Sequence, residues 1–191
     1  MAHIAYYLSP VSPWTYLGHA RFAEMAKRAG ATVEVMPVDY GVIFPQSGGL
    51  PLGKRAPQRQ AYRLQELARW QAFLGLPLVI QPKFFPVDGT HAAQLISGAP
   101  EAVRLALAYD LLQGVWAREE NISDAAVLAT IAARHGITDA PATIAAGKSV
   151  YEQNTQRAVV AQVFGAPSYV LGEQIFWGQD RLDFLERALA A

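Results

Sequence analysis

The chain has 191 residues, 52% of them hydrophobic, with 16 Lys and Arg offsetting 16 Asp and Glu and no cysteine. That length and apolar content support one domain, or one domain carrying a large insertion, and exclude a disordered chain. The charge balance excludes the electrostatic footprint of a nucleic-acid or anionic-membrane binder, and the lack of cysteine excludes thiol–disulfide exchange by the chain's own side chains.

Taken in order, Ile4-Ala5-Tyr6-Tyr7-Leu8 has the β-branched and aromatic content of a buried strand, and Ser12 before Pro13 reads as an N-cap with proline in the first helical turn. The predicted helix carries Tyr16, Leu17, Ala20, Phe22, Ala23 and Ala26 and stops at Gly30; Thr32 to Pro37 alternates as a second strand. Asp39 to about Gly53 is Gly- and Pro-rich and reads as a loop bordering a cleft. Gln58 to Leu74 is helical, with Ala61, Leu64, Leu67 and Ala68 as its apolar stripe and Arg59, Arg63, Glu66 and Arg69 among its polar positions.

Pro82 to Pro86 is a stiff connector, and His91 to Ile96 a short helix. Pro100 to Glu119 is a long helix, a further one is capped by Ser123 or Asp124 and ends near His135-Gly136, and Pro141 to Phe164 is helical with a break expected near Gly147. Ser168 to Leu171 and Gln174 to Trp177 flank Gly172-Glu173 and read as a hairpin, after which Asp180 caps a last helix with Leu182, Leu185 and Leu189 on one face. The first strand begins so close to Met1 that no signal peptide fits, which points to the cytoplasm, and no apolar run reaches the length of a membrane span.

The order β-α-β, helices, β-β-α is that of a thioredoxin-like α/β fold, with residues 1–40 and 155–191 as the thioredoxin-like part and 41–154 as an all-helical insertion. Ser12-Pro13-Trp14-Thr15 stands where such folds carry a C-x-x-C tetrad at the start of a helix. The helix N-terminus and the Ser12 hydroxyl together suit an anion or a bound thiolate, so any sulfur chemistry needs a thiol from outside.

The stretch Ser12 to Gly18, together with Val163-Phe164-Gly165-Ala166-Pro167-Ser168-Tyr169-Val170 and Phe176-Trp177-Gly178-Gln179-Asp180-Arg181-Leu182, resembles the two signatures of 2-hydroxychromene-2-carboxylate isomerases and kappa-class glutathione transferases. That family shares the DsbA-type thioredoxin fold. The resemblance implies glutathione as cofactor, a small electrophile as second substrate and a homodimer. It places the catalytic serine at Ser12, where the hydroxyl would favour the glutathione thiolate. It makes Pro167 a cis proline and Ala166 the backbone partner of the cysteinyl unit.

The γ-glutamyl end would be held by Gln179, Asp180 and Arg181: helix-terminal N–H groups for its carboxylate, the Asp180 side chain for its ammonium. Trp14, Gly49, Arg59 and His91 are the candidates for contact with the second substrate, with Trp14 and Trp177 as apolar walls and Trp70 and Trp116 as core. The chain departs from the family pattern at Pro45 and Gly49, which stand in place of a Lys and an Asn; Lys54, Arg55 or Arg59 are the candidates to restore the charge. His3, His19, His91 and His135 lack metal-ligand spacing, so no metal is expected. The activities implied are an isomerase that recycles glutathione, a transferase that consumes it, or a non-catalytic module that binds partners beside Pro167.

Overall fold

In a computed structural model of the protein, which describes residues 1–190, the strands meet in one four-stranded sheet of order β2-β1-β3-β4. β1 (His3–Leu8) pairs in parallel with β2 (Thr32–Pro37) and antiparallel with β3 (Ser168–Leu171), and β3 pairs antiparallel with β4 (Gln174–Trp177). Parallel neighbours require a crossover, which α1 (Pro13–Arg28) supplies. Successive residues of a strand point to opposite faces. Ile4, Tyr6 and Leu8 accordingly enter the larger core, with α1 and most of the helices, while Ala5 and Tyr7 enter a smaller one with Met36, Ile43 and Ala158. Tyr6 stacks on its cross-strand partner Tyr169 with ring centroids 5.2 Å apart, a contact worth about 0.5–1.5 kcal/mol beyond its area.

Between β2 and β3 run α2 (Tyr40–Ser47), α3 (Pro57–Leu74), α4 (Thr90–Gly98), α5 (Glu101–Trp116), α6 (Ala125–Arg134) and α7 (Ala140–Val160), and α8 (Leu182–Leu189) closes the described chain. The segment expected as a loop from Asp39 to Gly53 begins instead with α2. The Asp39 carboxylate accepts the Gly41 N–H at 2.7 Å, which starts the helix, and Gly48 at φ +73° ends it; Pro45 lies inside and withholds one helical hydrogen bond. The hairpin turn forms as expected, with Gly172 at φ +59°.

Three other expectations are corrected. α7 is unbroken at Gly147, because that glycine is where α4 crosses. A Cβ on Gly147 would overlap the Gln94 carbonyl, and one on Gly98 the Thr143 carbonyl, so both helices need glycine to approach. The expected boundary between 154 and 155 therefore lies inside one helix, and the larger core draws on Ile4 and Tyr6 together with Leu107 and Trp116. On α3 the buried residues are Arg63 and Leu67, while Ala61 and Ala68 are exposed. Trp116 is fully buried as expected, but Trp70 only partly so. Among the described residues no helix is long and apolar enough to cross a membrane.

Candidate active site

Register brings four segments to one end of the sheet. Leu8 pairs with Pro37, so the turn after β1 and the residues after β2 emerge side by side. Tyr7 pairs with Ser168 and Ser168 with Trp177, so Ala166-Pro167, which enters β3, and Gly178 to Arg181, which leaves β4, emerge at that same end. Residues 9–12, 38–41, 166–167 and 178–181, scattered over the sequence, thus form one edge.

Ser12 is the N-cap of α1: with φ −83° and ψ 122°, its Oγ accepts the Thr15 N–H at 3.2 Å, and Pro13 follows in the first turn. The hydroxyl proton remains free for a ligand, because a hydroxyl has one donor and two acceptor positions. Thr15, where the second cysteine of a C-x-x-C would stand, is wholly buried and its Oγ1 has no hydrogen-bond partner among the described residues.

The Ala166–Pro167 peptide bond is cis, as is Phe85–Pro86. Pro167 is buried, and its carbonyl accepts the Gly178 N–H at 2.9 Å, which ties the two returning segments together. Ala166 is half-buried, and neither its N–H nor its carbonyl is hydrogen-bonded among the described residues. A partly buried backbone unit without a partner at a cleft edge is the element to which an extended peptide can pair.

Gln179 is buried, and Arg21 of α1 donates to its carbonyl at 2.9 Å and also to its Oε1. Its carbonyl and Oε1 acceptors are therefore engaged, while its backbone N–H and side-chain amide N–H groups have no protein partner among the described residues. Arg181 spends its own N–H on the Gly178 carbonyl.

Asp180 does not cap the last helix, contrary to expectation. A 3-10 turn, Gln179–Arg181, intervenes, so α8 begins at Leu182 with no side-chain cap. Gly178 at φ +100° turns the chain so that the Asp180 carboxylate folds back over it, and Asp180 Oδ2 takes the Arg181 guanidinium at 2.8 Å. Both side chains are about half exposed, so carboxylate and guanidinium stand available together.

On the β2 side of the Ser12 turn lies an open cleft of about 220 Å³ lined by Val11, Asp39, Tyr40, Asp88, Thr90 and Tyr151. The Tyr40 hydroxyl is sealed from solvent without a hydrogen-bond partner. Burial, then the nearby Asp39 and Asp88 charges, push the Tyr151 phenol well above its ordinary value, which makes this cleft unfavourable to a further negative charge.

Of the remaining candidates, Trp14 is half-buried against the larger core, and Trp177 is exposed, edge-on to Phe164. Arg59 and His91 are exposed at the first turns of α3 and α4. Gly49 sits under the Phe44 ring, which a Cβ would overlap, so the absence of an asparagine there has a steric reason. Arg63, one of the polar positions expected on α3, is instead buried on the inner side of that amphipathic helix, opposite to the usual pattern.

A mixed sheet of this order, with a helix capped at the end of its first strand and a cis proline entering the third, defines a thioredoxin-type protein. The chain belongs to the DsbA-like thioredoxin domain family, whose model matches residues 3–190. It is similar to 2-hydroxychromene-2-carboxylate isomerase from Sphingobium xenophagum, at 30% identity over 97% of each chain. It is also similar to the protein of that name from Pseudomonas putida, at 27% identity over 97% of this chain and 93% of the relative. A solved 2-hydroxychromene-2-carboxylate isomerase has the same fold, with TM-score 0.84 and 24% identity over 98% of this chain and 94% of that one.

Proposed function

We propose that this protein is a glutathione-dependent isomerase of a 2-hydroxychromene-2-carboxylate type of substrate. The observation that carries the reading is the meeting of a capped α1 N-terminus, an unpaired Ala166 backbone and the Asp180–Arg181 pair at one sheet end. These fit the thiol, the peptide unit and the zwitterionic end of glutathione respectively. The similarity to proteins named as isomerases supports the choice of reaction.

When bound, glutathione supplies a thiol nucleophile that adds to an unsaturated substrate and is released again once the bond geometry has changed, so it is not consumed. The chain's own part is to bind and to hold charge. The Ser12 hydroxyl donates to the sulfur while its lone pair stays on the Thr15 N–H, and the α1 dipole adds to the stabilisation of the negative charge. Ala166 aligns the peptide through its backbone, and the fixed turn at Gly178 to Arg181 holds the far end, so the sulfur is presented in one orientation.

Titration calorimetry with glutathione, followed by the absorbance change of 2-hydroxychromene-2-carboxylate with and without it, tests the reading. The expected result is saturable binding and turnover that depends on glutathione at constant glutathione concentration. Stoichiometric loss of glutathione would identify a transferase, and no binding would leave the non-catalytic module.

A further inference from the structure

Arg63 is 9% exposed, yet among the described residues it has no salt bridge and no hydrogen bond, and its Nη2 is sealed from solvent. Its guanidinium carbon lies 5.3 Å from the centroid of Phe85 and 5.7 Å from that of Trp116. Ring faces return part of the cost of burying a cation but offer no acceptor. The charged neighbours are cations too: Arg55 acts on Arg63 and Arg59 on Arg55, and none of the three forms a salt bridge among the described residues. Arg59 and Arg63 stand one turn apart on α3, and Arg55 precedes its first turn, so like charges are stacked along one side. Burial and Arg55 push the Arg63 guanidinium down to about 10, the direction expected where a counter-charge is missing.

A short chain segment links this spot to the candidate active site. From Phe85 the chain passes through Pro86 and Val87 to Gly89, which packs against Pro10 and Val11 beside Ser12. Four residue steps span at most roughly 14 Å. The cleft beside Val11 carries Asp39 and Asp88 and repels an anion, so the complement to a substrate carboxylate has to lie elsewhere.

We propose that Arg63, set over the packed ring pair of Phe85 and Trp116 and flanked by Arg55 and Arg59, binds the carboxylate of the second substrate and so determines specificity for an acidic aromatic compound. This rests on the isomerase reading above and deepens it. It also supplies, from α3, the positive charge that the chain lacks at Pro45. Among the described residues the guanidinium is a cation without a counter-ion; with a carboxylate bound, the deficit closes.

The test is titration calorimetry of the full chain with salicylate and with salicylamide, a neutral analogue of similar shape, at fixed ionic strength and without glutathione. The wild type is expected to prefer salicylate by about tenfold or more, the usual worth of a charge-assisted hydrogen bond. Arg63→Met removes an unpaired buried charge, so it is expected to fold and to lose the preference. Arg63→Lys keeps the charge but not the planar group over the rings, and its preference is expected to fall. A wild type that binds both probes alike, a Met variant that keeps the preference, or a Lys variant with the wild-type preference overturns the proposal. Because glutathione is left out, these results stand apart from the glutathione reading, which its own titration decides.

Discussion

Gly18 on α1 lies directly against Gln179: a Cβ at position 18 would sit 2.7 Å from the Gln179 Cβ and 3.0 Å from the Tyr169 hydroxyl. The helix that presents Ser12 and the turn that presents Asp180 are therefore in contact through a glycine, and Arg21 one turn later clamps the same residue. Gly18→Val is expected to push the 178–181 turn outward, cost about 1–3 kcal/mol of stability as overpacking does, and weaken glutathione binding. Melting and titration calorimetry on one sample check this. A lower melting temperature with undiminished glutathione affinity would remove the turn from the binding site.

Ser12→Ala removes a helix cap and, on the proposed function, the donor to a bound glutathione sulfur. The cap is worth about 1 kcal/mol of stability. The charged hydrogen bond is worth about 1.5–3 kcal/mol, or on the order of 10- to 100-fold in rate. The ultraviolet absorbance of bound thiolate separates the two effects, since it should fall in the variant. If stability drops while thiolate absorbance and turnover hold, Ser12 is a cap alone.

Asp180→Asn should leave the fold almost unchanged, since Asp180 caps nothing and a half-exposed ion pair is worth about 0–1 kcal/mol. Glutathione affinity should fall by about tenfold or more through loss of the charged partner for its ammonium. Des-amino glutathione should bind the wild type and the variant alike. A variant that discriminates the two ligands as the wild type does would contradict this role.

His19 gives the fold a pH dependence. It is buried, with the Tyr6 hydroxyl 3.1 Å from Nδ1 and the Leu105 carbonyl 3.0 Å from Nε2, and burial outweighs the carbonyl contact to push it down to about 4. The carbonyl can only accept, so Nε2 carries the proton and the neutral ring is the one that fits. Because the folded value lies below the ordinary 6.5, the unfolded chain takes up a proton that the folded one refuses. Stability should therefore fall as pH drops from about 6.5 to about 4, by up to 1.36 kcal/mol per pH unit, and be unaffected by this group above that window. His19→Gln is expected to flatten that stretch of the profile in denaturant melts; an unchanged slope would assign it to other groups.

Sequence by itself determined the elements whose causes are local. Ser12-Pro13 sets a helix start because cap and first-turn proline act within one turn, and Gly172-Glu173 between two apolar runs sets a hairpin. The unbroken apolar run Ile4 to Leu8 marks a strand buried on both faces. Ser12 and Ala166-Pro167 were legible as site candidates through the resemblance of their motifs to a known family. The tertiary structure alone decided the rest. A glycine that breaks an isolated helix becomes a contact point when α4 supplies a carbonyl at Gly147, and Asp180 loses its capping role because Gly178 turns the chain back. Arg63 is polar by type, and only the distant rings of Phe85 and Trp116 make its inner position on α3 tolerable. The Arg63 and Gly147 pairings join residues 22 to 53 positions apart, a range over which helix and strand periodicity carries no information.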